Sequence, residues 1–483
     1  MKNRFFVFLF TILLYTTHFA KAQDDNGSLI ERFFAGRQQF QNSFSSFLDS
    51  INIKFAEYLS TSWEQFNIES PIVRPRKPNP KEMPVYTPDD STILEKSVIA
   101  EQVLIDSAII EPIVKKGDME VMTNVEIENV EKKNFFGNNI QFSMLKEYDT
   151  NLTGIDESKV ADYWRQLSKT NYSVFIEDLV KKKTALGLNS WGFYQLILEW
   201  TNNQFDKKKE NEKAVFIVFM LNQAGYKAKI GRIGNSLVVM MAFRNSLYGK
   251  PYIKLNNDNY YLLSDITVKG LPISSYRLNI ELSKFNIDLN MTTIPKFAEN
   301  VKEIKRVFKN KTYTFKINSN LIDYYNTFPL ADLTIFADAP LSGIAVKNIE
   351  NELSKDLQNK NVTEKLNFLL SLIQNGFDYM LDEEQFGREK FLFAEETLFY
   401  PFSDCEDRAI LFCRLVKLIL GLDTLLIDYP THVASAVKLN EPGDAIIHNN
   451  ERYIICDPSY FGAPIAKKMQ GQDNSKAKII LVN

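Results

Sequence analysis

Apolar residues return at three- and four-residue steps from Ser28 to about Phe66, where Phe33, Phe40, Phe44, Phe47, Ile51, Phe55, Tyr58, Leu59, Trp63 and Phe66 line one aromatic-rich face. That period predicts an amphipathic helix. Phe44, Phe55 and Phe66 stand eleven apart, nearer a straight helix than a left-handed coiled coil. The face either docks on the chain's own domains or serves a protein partner or second copy. The period returns with Val160, Tyr163, Trp164 and Leu167, then with Trp191, Tyr194, Leu196, Ile197, Leu198 and Trp200. It returns again from about Glu212 to Gln223, where Gly225 supplies a C-cap. Further on, Asn361-x-x-Glu364 opens a helix to Leu381 with Leu366, Leu369, Leu370, Ile373 and Phe377 on one face.

A period of two predicts strands. Tyr276, Leu278, Ile280 and Leu282 alternate with polar residues, as do Phe285, Ile287, Leu289 and Met291 after a turn at Ser283-Lys284. That is a hairpin with one buried face. VLIDSAIIEPIV and NIQFSML are β-type, and IGRIG, SLVVMMAF and NNDNYYLLSDIT follow the Glu212 helix as strands. Pro71, Pro75, Pro78, Pro80, Pro84 and Pro88 stand among basic and polar residues, a composition for an extended polyproline II spacer. The expected divisions are an amphipathic helix over 23–68, a proline-rich linker over 69–90 and a β-containing region over 91–153. Then come a helix-and-strand unit over 154–270, a β-hairpin connector over 271–345 and a final unit over 346–483. Helices and antiparallel strands in separate runs make this an α+β protein.

The unit over 154–270 carries an internal echo of the last. KENEKAVFIVFMLNQAGYKAKI matches DCEDRAILFCRLVKLILGLDTLLI with one gap, each helix ending at a glycine, Gly225 or Gly421. Eleven residues beyond those glycines stand Ser236 and His432, and YYLLSD ending at Asp265 parallels RYIICD ending at Asp457. The earlier copy would carry Glu210 and Ser236 where the later one has Cys405 and His432.

Composition narrows the setting. A chain of 483 residues, 45% hydrophobic and 24% charged, is globular and long enough for roughly three domains. A formal charge of -3 offers no basic excess for nucleic acid or an anionic membrane surface. Lys2 and Arg4 precede the apolar run Phe5–Leu14 and an Ala20-Lys21-Ala22 site, which predicts a signal peptide over 1–22 with Gln23 first in the mature chain. No later apolar run reaches the roughly 18 residues of a membrane span. The expectation is an exported protein, soluble in the periplasm or outside the cell. Cys405, Cys413 and Cys456 are too few for a disulfide framework.

One of those thiols sits where chemistry is easy. Ser403-x-x-Glu406 reads as a capping box, with Ser403 as N-cap and Cys405 in the first turn of an amphipathic helix. A helix N-terminus favours thiolate over thiol and offers amides to a developing oxyanion. Of the histidines beyond the signal, His448 falls at a hairpin tip in IIHNNERY, while His432 opens the alternating strand HVASAV, sharing a face with Ala434 and Ala436. A strand holds a base more firmly than a tip. Asp457 ends YIIC before Pro458, on the face of Tyr453 and Ile455 and away from Cys456. It either accepts an imidazole N–H or makes a D-P-S turn. Cys405, His432 and Asp457 are the candidate nucleophile, base and orienter.

These pieces, DCEDRAILFCRLVKLILGL, YPTHVASAV and RYIICDPSY, resemble the transglutaminase-like superfamily of papain-related cysteine enzymes in the order Cys, His, Asp. The resemblance covers roughly 349–465 and implies a thiolate at Cys405, His432 as general base and acid, and Asp457 orienting it. It implies helices packed on an antiparallel sheet, a degenerate second copy upstream, and amide hydrolysis or acyl transfer through an acyl-enzyme, with no cofactor. The substrate would be a protein or peptide, a peptidoglycan peptide among the candidates. Protein-cross-linking members use an aromatic or amide side chain as a further oxyanion donor. Here no tryptophan is at hand, and Tyr400 and Gln385 are the nearest candidates. Asp382-Glu383-Glu384 is too short a cluster to argue for a metal, Glu395-Glu396 reads as a solvated pair, and FGREKFLFAEETLFYPF shapes the cleft or packs under the helix. The competing class is a non-catalytic peptide-binding or scaffold protein using the same fold.

Overall fold

Amphipathic stretches become helices where a cap stops the chain fraying, and the computed structural model describes residues 47–61, 63–74, 83–87, 130–143, 151–205, 209–263 and 272–483. The expected signal peptide, most of the 23–68 helix and most of 91–153 lie outside these. Residues 47–59 form helix α1, which stops short of Phe66 because Glu64–Phe66 is a strand, β1. Along α1, Ile51 and Phe55 are buried and Phe47 is exposed. Residues 59–483 form one compact unit.

Within it, β2 (Val130–Phe135) and β3 (Asn138–Ser143) make a hairpin. Helices α2 (Glu157–Ser168), α3 (Tyr172–Leu186), α4 (Ser190–Gln204) and α5 (Glu210–Gln223) follow. Asp156 caps α2 by accepting from the Lys159 amide, and Val160, Tyr163, Trp164 and Leu167 are the buried face the period predicts. Gly225 leaves α5 at φ 92°, a left-handed conformation for which glycine carries no steric cost.

The first sheet comprises β1, β4 (Ala228–Ile233), β5 (Ser236–Ala242), β6 (Tyr252–Leu255), β7 (Asp258–Leu262) and β8 (Ile273–Ser275). Next come the hairpin β9 (Val301–Phe308) and β10 (Lys311–Asn318), then α6 (Ser319–Tyr325), α7 (Leu333–Asp338), α8 (Gly343–Leu357) and α9 (Val362–Gly376). The capping box expected at Asn361 and Glu364 is present. Strand β11 (Asp378–Tyr379) pairs in parallel with β12 (Phe402–Ser403) across α10 (Asp382–Phe386) and α11 (Ala394–Phe399). Helix α12 (Cys405–Leu420) leads into the second sheet: β13 (Thr424–Tyr429), β14 (His432–Lys438), β15 (Ala445–His448), β16 (Glu451–Cys456) and β17 (Lys478–Val482).

The two sheets share a plan. The first runs β8-β4-β5-β7-β6 beyond β1, and the second, read from the opposite edge, runs β17-β13-β14-β16-β15. Every neighbour is antiparallel in both. Register agrees as well: Met240 faces Leu262 as Ala436 faces Ile455, and Met241 faces Tyr261 as Val437 faces Ile454. Ile233 pairs with Ser236 at one hairpin end as Tyr429 pairs with His432 at the other. Asn256-Asn257 and Asn449-Asn450 make matching turns with both residues at positive φ. Helix α5 packs on β4 and β5, as α12 packs on β13 and β14. Counted from those turns, Leu262 falls at the position of Ile455, one residue off the match through YYLLSD and RYIICD. Residues 264–270 lie outside the described set.

Two expectations need correction. The hairpin over Tyr276–Met291 is absent, because its second arm pairs elsewhere: Phe285 bridges Tyr226 and Ile287 bridges Phe243. Alternation still marks burial at Tyr276, Ile280, Ile287, Leu289 and Met291, while Leu278 is exposed. The connector's hairpin is β9–β10 instead, turned by Lys309 and Asn310 at positive φ. The described parts of the 69–90 linker are not a free spacer. Glu69 and Ile72 bridge Tyr252 and Tyr248 beside the first sheet, and Val85 bridges Phe461 beyond the second.

Candidate active site

Helix α12 runs away from Cys405, the chain turns at Gly421 (φ 64°), and β13 runs back along the helix. The end of β13 therefore returns to the helix N-terminus. Arg74 spans the two, with Nη1 3.0 Å from Glu406 Oε1 and Nη2 3.7 Å from Asp428. Across the next hairpin His432 pairs with Tyr429, whose ring lies parallel to the imidazole at 6.5 Å and 9°. Strand β16, paired with β14, delivers Asp457 to the same end. His448 sits at the opposite end of β16, beside the Asn449-Asn450 turn, and so faces away from this convergence.

His432 and Asp457 meet. Nε2 of His432 lies 2.8 Å from Asp457 Oδ2, and the two residues are each 1% exposed. Asp457 Oδ1 accepts from the Ser459 amide at 2.9 Å. The two readings of D-P-S thus coexist, one oxygen closing an Asx turn and the other holding the imidazole. Gln374 on α9 fastens this corner: its Nε2 donates to the carbonyls of Asp457, Tyr460 and Ala463 at 3.1, 2.8 and 3.1 Å. A carboxylate on Nε2–H makes Nδ1 the basic nitrogen of His432.

Cys405 is the first residue of α12 and fully buried. The cap differs from the expected Ser403/Glu406 box: the N-cap is Asp404, and Asp407 reaches back to the Asp404 amide at 3.4 Å. Glu406 is unavailable for capping because Arg74 holds one of its oxygens and the thiol of Cys405 donates to the other at 2.9 Å. Cys413 and Cys456 are buried, as core thiols should be, and burial pushes Cys413 up to about 12.

The helix start is crowded with acid. Carboxylate oxygens of Asp382, Asp404 and Asp407 lie within 4.8 Å of one another, all buried, a spacing that a divalent cation could bridge. Burial and then mutual repulsion raise Asp382 to about 10 and Asp407 to about 8, and push Asp404 well up. The cluster as a whole therefore holds on to protons well above the usual carboxylate range. The neighbouring cation is Arg408, buried and donating to the carbonyls of Phe377 and Ile373 at 2.7 and 3.3 Å.

Tyr379 escaped the sequence reading. Its β11 position faces Ser403, two residues before Cys405, and the Arg408 guanidinium lies 5.4 Å from its ring. Burial, then the charges of Cys405, Asp404 and Glu406, push its hydroxyl far up, which places that oxygen in the electrostatic field of the thiol. The hydroxyl is buried without a hydrogen-bond partner. Tyr400 points elsewhere, its hydroxyl accepting from Asn326 at 2.9 Å, and the Gln385 side chain makes no described contact with Cys405. The Glu395-Glu396 pair, expected in solvent, is buried: Glu395 accepts from the Ser342 hydroxyl at 2.9 Å and Glu396 from Lys390 Nζ at 2.5 Å. The segment before Cys405 packs on α12, with Leu392 N donating to Asp407 at 2.9 Å, so it lies under the helix.

No family model, curated protein or solved structure matches this chain. No helix among the described residues is long and apolar enough to cross a membrane.

Proposed function

We propose that the chain is a thiol-dependent amide hydrolase or acyltransferase of the transglutaminase-like kind, its second sheet carrying the chemistry and its first a copy that lost it. The observation that carries this is the buried His432–Asp457 pair, held by a strand and a pinned turn at the end of the sheet where α12 begins with Cys405. His432 Nδ1 takes the thiol proton as sulfur attacks the substrate carbonyl, and the charge on the carbonyl oxygen is met by helix-start amides and Tyr379. The imidazolium then gives its proton to the departing amine as the carbon–nitrogen bond breaks. Water, or a second amine, releases the acyl group from sulfur. The shared strand order and register of the two sheets, with Glu210 and Ser236 where the second carries Cys405 and His432, support the duplication.

The test is the pH dependence of Cys405 alkylation by iodoacetamide, followed on its peptide by mass spectrometry. The midpoint of that curve reports ionisation and its plateau reports access. A midpoint below pH 8 that His432→Ala moves upward is expected. An ordinary thiol midpoint that His432→Ala leaves in place overturns the reading. The non-catalytic alternative draws on one observation, the burial of all three residues.

A further inference from the structure

Arg74 is an odd residue to find beside a candidate nucleophile. Val73 beside it is 75% exposed, so the chain lies at the surface there, yet the Arg74 side chain is 10% exposed. Nη1 donates to Glu406 at 3.0 Å and to Glu389 at 3.4 Å, Nη2 lies 3.7 Å from Asp428, and the guanidinium sits 4.2 Å above the Phe391 ring. A planar group gripped by carboxylates and stacked on an aromatic face is how guanidinium is recognised, in preference to ammonium. Three carboxylates surround one cation, so the pocket stays attractive to another.

The geometry also links this pocket to the thiol. Glu406 takes Arg74 on one oxygen and Cys405 on the other. Further along the same segment, Met83 accepts from buried Arg408 at 3.1 Å, and Pro84 to Tyr86 exchange backbone hydrogen bonds with Phe461, just beyond Asp457. The described parts of the segment therefore flank Cys405 on one side and Asp457 on the other. Cys405, His432 and Asp457 are 0%, 1% and 1% exposed. The hold near Arg74 is slight: the amide of Glu69 bonds Tyr252, and the carbonyl of Ile72 bonds Gly249.

We propose that Glu389, Glu406 and Asp428 over Phe391 form a guanidinium-binding subsite beside Cys405, which Arg74 fills from within until an arginine-bearing peptide substrate displaces it. This rests on Cys405 being the nucleophile, but its test does not. In full-length Arg74→Ala, the plateau rate of Cys405 alkylation should rise at least tenfold while Cys413 and Cys456 stay unreactive. Acetyl-arginine amide should protect Cys405 again with saturation, and acetyl-citrulline amide, equal in shape but uncharged, should not.

Calorimetry provides the second arm. Arg74→Ala/Cys405→Ser should bind acetyl-arginine amide at least tenfold more tightly than the citrulline compound, and Cys405→Ser alone should bind acetyl-arginine amide more weakly than the double variant does, because Arg74 competes for the pocket. Glu389→Gln, which leaves the thiol's partner in place, should raise the plateau severalfold. Three results overturn the proposal: an unchanged plateau in folded Arg74→Ala, all three cysteines accelerating together, or equal binding of both amides. The alkylation midpoint judges the nucleophile separately, so the two failures are distinguishable.

Discussion

Asp457 divides two duties between two oxygens, and the division makes its role measurable. Asp457→Asn keeps an acceptor for one partner but presents an amide whose orientation must satisfy both His432 and the Ser459 amide. Loss of roughly 10^2-fold or more in turnover is expected, with substrate affinity changed little. A chain that keeps its rate would remove the orienting role. Tyr379→Phe should separate catalysis from stability. Under the proposed mechanism the variant loses an oxyanion donor, so turnover should fall on the order of 10- to 10^3-fold. It also loses a buried, unpartnered hydroxyl, so unfolding free energy holds or rises by about 1 kcal/mol. Parallel denaturation and rate measurements check both halves, and a destabilised variant of normal activity would refute the assignment. That Cys405 starts a helix, His432 starts a strand and Asp457 follows one could be read from the sequence, because local periodicity marks those ends. Tyr379 could not, since only the pairing of β11 with β12 places it.

Among the elements, the start of α12 shows what local reading cannot decide. Ser403-x-x-Glu406 and Asp404-x-x-Asp407 both spell a capping box, and the choice falls to the second because Glu406 is drawn off by Arg74, far away in sequence. Glu395 and Glu396 misled for the same reason, their partners Ser342 and Lys390 being invisible to charge patterning. The acid cluster predicts a pH dependence whose sign follows from its raised values. The folded chain keeps protons on Asp382 and Asp407 that the unfolded chain releases near pH 4, so stability is full below that and falls as pH rises toward 8 to 10. Each such group contributes up to about 1.4 kcal/mol per pH unit. In urea, the stability of Asp382→Asn relative to the parent should grow steadily as pH rises from 4 to 8, and a difference of equal size at both ends would contradict this. Gln374→Leu removes a donor from three carbonyls at the Asp457 corner, of which those of Asp457 and Tyr460 keep a backbone N–H, and should cost about 1–3 kcal/mol.

For the whole molecule, helix positions and strand alternation were legible, and so was the echo between the two sheets. The alignment through YYLLSD slipped by one because identical letters outweighed the Asn-Asn turns, which register shows to be the true landmarks. The hairpin over 276–291 failed because alternation reports a buried face and not the identity of the pairing partner. The apparent linker failed because proline content says how a chain extends, not what it lies against. Export predicts a mature chain beginning at Gln23, and intact mass of secreted material checks it; a chain retaining Met1 would count against it.

The near-total burial of Cys405, His432 and Asp457 makes opening a step of any reaction there. Apparent affinity for a ligand equals the intrinsic affinity scaled by the open fraction, so a chain open about 1% of the time binds about a hundredfold more weakly than its site allows. Substrate concentration, not the chemical barrier, would then set how much of the population is at work.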